Sequence, residues 1–287
     1  MAYTETKTPI VYYGGKTAIL NHIFPLVPEH EVYTECFAGG AALFWSKRPA
    51  KNETLNDELD LVMNFYTTLK LNFKPLKKLI ESSLISRSMH TMALNCIRLH
   101  KKGLNVDRVQ LAWAFWLCTN FAFSNKIGGG YKYSNDLNTQ IPKTLKNRKK
   151  EFTEALVERI EGCYLENADA LYILESRNVV KAFHYLDPPY PGADQGHYHG
   201  YTWKQFEDLL FWLQDQCKGK FLLSNYNSDI LTEYTNRNGW HKKEITHRIQ
   251  ATNLMNSNGE RKMKTEVLIY NYDSQCGTPR LFKDHNH

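Results

Sequence analysis

The segment Asp187-Pro188-Pro189-Tyr190 has the residue types for a specific chemistry. Two consecutive prolines cannot continue a central strand, because they have no N–H to donate. They force an extended exit, so the Asp187 carboxylate and the Pro188 carbonyl project together at a strand end. Both are acceptors while the aspartate is ionised. Tyr190 adds an aromatic face beside them. Two acceptors and a stacking plate fit a planar ring that bears an exocyclic NH₂. The plainer reading is a strand-terminating turn with a capping aspartate.

A second group lies earlier. Phe37-Ala38-Gly39-Gly40 reads as a turn after a strand, where glycines let a ligand approach the backbone. Asp57 follows Gly39 by eighteen residues, at the end of the next strand candidate. A carboxylate at about 20 residues past such glycines commonly accepts hydrogen bonds from ribose hydroxyls. The pair fits a nucleoside-containing cofactor; a helix N-cap is the other reading of Asp57. Gly14-Gly15-Lys16-Thr17 is not a nucleotide-binding P-loop, because Ile10 stands where that motif needs its first glycine.

The elements that must position these groups alternate. Glu31 to Phe37, Glu53 to Asn56, Val179 to Leu186, Phe221 to Tyr226 and Glu266 to Tyr272 read as strands. Ala41 to Trp45 is helix-compatible, and Leu61, Phe65 and Leu69 recur at helical spacing. Thr202 and Gln205 form a capping box before an apolar face of Phe206, Leu209, Leu210 and Leu213, with Gly219 placed to end that helix. Alternation of this kind predicts an α/β fold with an open sheet. Residues from about 72 to 160 break the rhythm. They read as helices over Phe73 to Cys96, Val106 to Cys118 and Glu151 to Glu161, around an irregular stretch with Gly128-Gly129-Gly130: an inserted, mostly helical module.

The chain has 287 residues, 42% hydrophobic and 23% charged, an ordinary globular composition that excludes disordered and fibrous classes. No apolar run approaches the ~20 residues of a membrane span, and the N-terminus has no signal-peptide core, so a cytoplasmic location is expected. The formal charge is +6. Positive charge gathers at Lys143, Lys146, Arg148, Lys149 and Lys150, and again at Arg248, Arg261, Lys262 and Lys264. Each cluster suits either a polyanionic partner or a solvated face. The six cysteines form no CxxC pair and read as buried small hydrophobes. His197, His199, His285 and His287 have no accompanying ligand set, so no metal site is expected.

Taken in order, Tyr13-Gly14-Gly15-Lys16, Phe37-Ala38-Gly39-Gly40 and Asp187-Pro188-Pro189-Tyr190 resemble the Dam-type DNA adenine methyltransferases. Asn56-Asp57, Asn167-Ala168-Asp169, Leu223-Ser224-Asn225 and Glu266 to Tyr272 are similar to that family as well. Cofactor motif, recognition module and catalytic motif follow the family's alpha arrangement. The resemblance implies a Rossmann-like class I methyltransferase sheet with an inserted, mostly helical target-recognition domain. The catalytic domain would be 1–71 with 161–287, and the DNA-binding domain 72–160. It implies S-adenosylmethionine as cofactor, held by Tyr13, Gly15, Lys16, Glu35, Phe37, Gly39, Gly40, Asp57, Asp169 and Asp187.

The implied reaction methylates the N6 amine of an adenine flipped out of double-stranded DNA. Asp187, Pro188, Pro189 and Tyr190 would form the catalytic segment. Asp187 and the Pro188 carbonyl would accept hydrogen bonds from the amine and sharpen its nucleophilicity, Tyr190 would stack on the base, and the amine would attack the methyl carbon in line with the departing sulfur. No cysteine nucleophile is needed, as cytosine ring-carbon methylation would require. Lys126, Tyr131, Lys132, Lys146, Arg148, Arg248 and Arg261 are the candidates for DNA contact, with exposed hydrophilic loops as the other reading. The usual Dam recognition residues are not found in the middle module, so no target sequence is implied. A cognate restriction endonuclease and a monomeric state complete the expectation. Methylation of cytosine N4, RNA adenine or a protein glutamine, or non-catalytic nucleic-acid binding, are the competing classes.

Overall fold

The computed structural model describes residues 6–135, 140–192, 200–248 and 263–274. Seven strands are present among them: β1 (Val32–Glu35), β2 (Asn52–Asn56), β3 (Cys163–Glu166), β4 (Ala182–Leu186), β5 (Lys220–Asn225), β6 (His241–Arg248) and β7 (Met263–Tyr270). They form one sheet in the order β3-β2-β1-β4-β5-β7-β6. β1, β4 and β5 run parallel, and β7 pairs antiparallel with both β5 and β6. The expected α/β class with a Rossmann-like sheet is what the chain adopts.

Two of these strands were not expected, and both lie at the sheet's edges. β3 has four residues and none is buried. β6 carries His241, Lys242, Lys243 and Glu244 in succession, with only Ile245 buried among its described side chains. An edge strand needs no continuous apolar pattern, and charge on it discourages pairing with other chains.

The chain divides into two compact units. One comprises residues 1–17, 38–49 and 54–168. Its core is the helix Arg108–Phe121, buried at every position from Leu111 to Phe121. That all-round apolar character marks a helix enclosed by others. It packs on the helices Asp60–Leu71, Phe73–Ser82 and Arg87–Lys101. The helix expected over residues 73–96 is in fact two, broken at Ser83–Ser86. Ser86 caps the second helix by accepting from Met89 N, and the Ser83 hydroxyl accepts from Trp113 Nε1 at 2.8 Å. The basic stretch expected to be irregular includes a helix, Ile141–Glu151, followed by a short one, Ala155–Ile160.

The other unit comprises residues 18–37, 50–53 and 169–287. The parallel register Glu35↔Tyr185 brings β1 and β4 to the same edge, so the chain leaves β1 toward Phe37 and β4 toward Asp187 side by side. The Thr202 capping box forms as expected. Gly219 does not end its helix, which stops at Asp215. A Cβ at 219 would lie 2.7 Å from the Ala182 carbonyl oxygen, so glycine there permits close approach of β5 to β4. Among the described residues no helix is long and apolar enough to cross a membrane.

Candidate active site

The glycine turn is built within the first unit. Gly39 has φ +45° and Ala41 φ +47°, so the chain turns sharply before the helix Ala42–Ser46. Asp57, at the end of β2, accepts from Gly39 N at 2.8 Å through Oδ2 and from Leu59 N at 2.9 Å through Oδ1. Its carboxylate is buried. Asn56 exchanges two hydrogen bonds with the backbone of Ala168, each 3.0 Å, and Asn167 Nδ2 donates to the Asp57 carbonyl. The two motifs Asn56-Asp57 and Asn167-Ala168 therefore clasp one another. Above the turn lies Tyr12, which the sequence did not single out. A Cβ on Gly39 would meet its ring at 2.8 Å. Lys16 is buried, and its ammonium donates to the Gly14 carbonyl at 2.8 Å.

The second unit holds the other group. Pro188 is buried, and Asp187 and Tyr190 are half-buried at the exit from β4. The Tyr190 hydroxyl donates to Asp187 Oδ1 at 3.2 Å and lies 3.3 Å from Ser224 Oγ. The Tyr226 ring meets the Tyr190 ring edge to face at 4.5 Å. Burial, and then the Asp187 and Glu266 charges, hold the Tyr190 phenol well above its ordinary pKa, so it stays a donor. Glu35, at the end of β1, is a buried carboxylate that accepts from the Tyr33 hydroxyl at 2.9 Å. Phe37 packs edge to face against Tyr201. Asp169 caps the helix Ala170–Ser176 by accepting from Tyr172 N.

Residues 12–263 match the family model of the D12 class N6 adenine-specific DNA methyltransferases. The chain belongs to that family. A type II methyltransferase from Lactococcus lactis subsp. cremoris, M1.LlaDCHI, is 27% identical over 277 residues, covering 90% of this chain and 93% of that one. The type II methyltransferase M.FokI of Planomicrobium okeanokoites is 24% identical over 281 residues. Those are 93% of this chain and 43% of M.FokI, so the chain spans less than half of that relative. A precorrin 8W decarboxylase from Methanobacterium thermoautotrophicum aligns over 93% of this chain and 98% of its own at TM-score 0.40 and 9% identity, too remote to inform the site.

This D12 methyltransferase thus transfers a methyl group to the N6 amine of adenine in DNA, with S-adenosylmethionine as donor. Glu35 and Asp57 are buried carboxylates at the ends of β1 and β2. Among the described residues no group of three or more His, Cys, Asp or Glu is placed to hold a metal ion. His197, His199, His285 and His287 lie outside the described residues. Cys36 and Cys118 are buried, and burial pushes both thiols up, Cys118 to about 12. An open cavity of about 450 Å³ in the first unit, lined by Lys70, Phe73 and Glu158 among others, contains none of the expected site residues.

The expected DNA contacts have diverse surroundings in this D12 enzyme. Lys146 is exposed on the helix Ile141–Glu151. Arg148, on the same helix, is half-buried and donates to the Thr8 carbonyl at 3.2 Å. Lys149 donates to the Glu81 and Ser83 carbonyls and so caps the helix Phe73–Ser82. The Lys126 ammonium sits over the Tyr13 ring, 4.3 Å from its centroid. Tyr131 pairs with Ala122 in an isolated bridge and stacks near Tyr133, with the Arg87 guanidinium over both rings. Lys132 is half-buried, and burial lowers its pKa. Arg248 ends β6 opposite Met263, its side chain outside the described residues, as is all of Arg261.

Proposed function

We propose that Asp187 and the Pro188 carbonyl together receive the N6 amine of an adenine extruded from double-stranded DNA. The observation that carries this reading is the Asp187-Pro188-Pro189-Tyr190 exit from β4, with the Tyr190 hydroxyl bonded to Asp187, in a chain of the N6 adenine-specific family. Two acceptors match the two amine hydrogens. Accepting from both draws the nitrogen lone pair away from the ring and fixes the amine's direction. Pro189 keeps the segment extended. Tyr190 offers its ring to the base, braced edgewise by Tyr226. S-adenosylmethionine supplies an electrophilic methyl group on its sulfonium.

Tyr13, Gly15, Lys16, Glu35, Phe37, Gly39, Gly40, Asp57 and Asp169 hold the cofactor in this reading, with Asp187 beside the reacting methyl. Within that set Asp57 acts first on the protein, by fixing the glycine turn through Gly39 N. Residues 72–160 form the target-recognition domain, inserted into a catalytic domain of 1–71 and 161–287. Unstacking the target base costs a few kcal/mol, which contacts to the DNA backbone offset. Lys126, Tyr131, Lys132, Lys146, Arg148, Arg248 and Arg261 supply the contacts, Lys146 being the exposed cation among them with a described side chain on a helix. The enzyme acts as a cytoplasmic monomer. Its two relatives are named type II methyltransferases, which supports a cognate restriction endonuclease acting on the same site.

The test is Asp187→Ala. Methyl transfer to DNA is lost, while S-adenosylmethionine binding measured by calorimetry stays near the wild-type value. Nucleoside analysis of DNA treated with the wild-type enzyme yields N6-methyladenine. Normal turnover by the variant removes Asp187 from the reaction.

A further inference from the structure

Ser224 lies on β5, outside the catalytic segment, and is fully buried. Its hydroxyl oxygen is 3.3 Å from the Tyr190 hydroxyl, which is itself 3.2 Å from Asp187 Oδ1. The direction of this chain follows from proton counting. An ionised Asp187 accepts only, so Tyr190 gives it the single phenolic proton. Ser224 must then donate to the Tyr190 oxygen. The hydroxyls point one way, from β5 toward the carboxylate.

The surroundings enforce that order. β5 pairs with β7 through Ser224↔Leu268, and residues two apart on a strand share a face. Glu266 therefore lies on the same face as Ser224, and it is buried. Burial of the ring, and then the Asp187 and Glu266 charges, disfavour a phenolate at Tyr190. Tyr226, just beyond β5, packs against the Tyr190 ring and limits its swing.

We infer that Ser224 is a positioning residue for methyl transfer, acting through the Tyr190 hydroxyl to hold the Asp187 carboxylate in the orientation that receives the adenine amine. The inference rests on the proposed role of Asp187. It separates Tyr190 into two parts: a ring for the base and a hydroxyl for the aspartate. If Tyr190 served only by stacking, phenylalanine would replace it without loss.

The experiment is a double-mutant cycle on the full chain with Ser224→Ala and Tyr190→Phe, read by single-turnover methyl transfer to DNA. Each single variant lowers the methyl-transfer rate by about tenfold, the effect of one lost hydrogen bond on a reacting group. KM values for S-adenosylmethionine and DNA stay unchanged. The double variant is no slower than Tyr190→Phe alone, and Ser224→Thr, which keeps the donor, restores the rate of Ser224→Ala. Thermal melts establish that each variant is folded. A wild-type rate for Ser224→Ala, or losses that multiply in the double variant, overturns the inference. If Asp187→Ala is inactive in the same assay, that failure belongs to Ser224 alone; if Asp187→Ala is active, the underlying reading falls with it.

Discussion

The backbone N–H of Gly39 donates to Oδ2 of Asp57 at 2.8 Å, and the carboxylate that receives it is 1% exposed. The other oxygen accepts from Leu59 N. The aspartate proposed to bind the cofactor is thus also the brace of the turn that precedes it. Asp57→Ala leaves two backbone donors unsatisfied, at a cost of about 1–3 kcal/mol each where buried. The expected outcome is a lower melting temperature without cofactor, together with a weaker dissociation constant for S-adenosylmethionine. Melting curves with and without the cofactor check it: a residue that served the ribose alone would leave the ligand-free melt unchanged.

Gly39 constrains the same turn from the other side. Its φ of +45° costs an alanine about 1–2 kcal/mol. A Cβ would also sit 2.8 Å from the Tyr12 ring. Gly103 provides the control, with φ +75° and nothing within 4 Å of a Cβ. Gly39→Ala is therefore more destabilising than Gly103→Ala in denaturant titrations, the difference reporting the Tyr12 contact. Only Gly39→Ala weakens binding of S-adenosylmethionine.

How far the sequence disclosed all this depends on the element. The central strands were legible because burial on both faces leaves an apolar and aromatic pattern, as in Ala182, Phe183, Tyr185 and Leu186 of β4. The edge strands β3 and β6 were not, since an edge needs only one packed face. The break at Ser83–Ser86 was hidden in a helical pattern, and becomes intelligible only once the Ser83 hydroxyl is seen to take the Trp113 N–H. At the site, Asp57 and the glycines were legible as a spacing. Contacts of high sequence separation were not: nothing in the order of residues says that Asn167 reaches the Asp57 carbonyl, 110 positions away. Likewise Ser224 was visible only as part of a family-like tripeptide, and its contact with Tyr190 needs β4 and β5 side by side.

His184 gives the second unit a pH dependence. It is fully buried in β4, against the Trp212 ring, and burial lowers its pKa from 6.5 to about 4. Between these values the unfolded chain binds the proton and the folded chain does not. The stability this group protects is therefore whole above pH 6.5 and falls as pH drops toward 4. Integrated from pH 7 to pH 5, the loss is about 2 kcal/mol. Urea titrations at the two pH values measure it, and His184→Phe flattens the difference by that amount. An unchanged difference in the folded variant would place the acid sensitivity elsewhere.

Lys146 and Arg148 share one helix yet differ in their surroundings. Lys146 projects into solvent, whereas the Arg148 guanidinium is half-buried and spends a hydrogen bond on the Thr8 carbonyl. Desolvation lowers the Arg148 pKa, with Glu151 opposing, as expected for a cation turned toward its own protein. A phosphate contact reveals itself in the salt dependence of binding, each neutralised phosphate contributing about 0.9 to the slope of log K against log salt. Lys146→Ala therefore lowers that slope by about one while leaving the melting temperature in place. Arg148→Ala leaves the Thr8 carbonyl without this donor, and destabilises the fold by about 1–3 kcal/mol. Its salt slope falls by less than that of Lys146→Ala, because a guanidinium already engaged with the backbone displaces fewer counterions from DNA. Binding titrations at several salt concentrations, with melts of both variants, decide the point. A larger slope change for Arg148→Ala than for Lys146→Ala would show that the arginine leaves Thr8 when DNA binds.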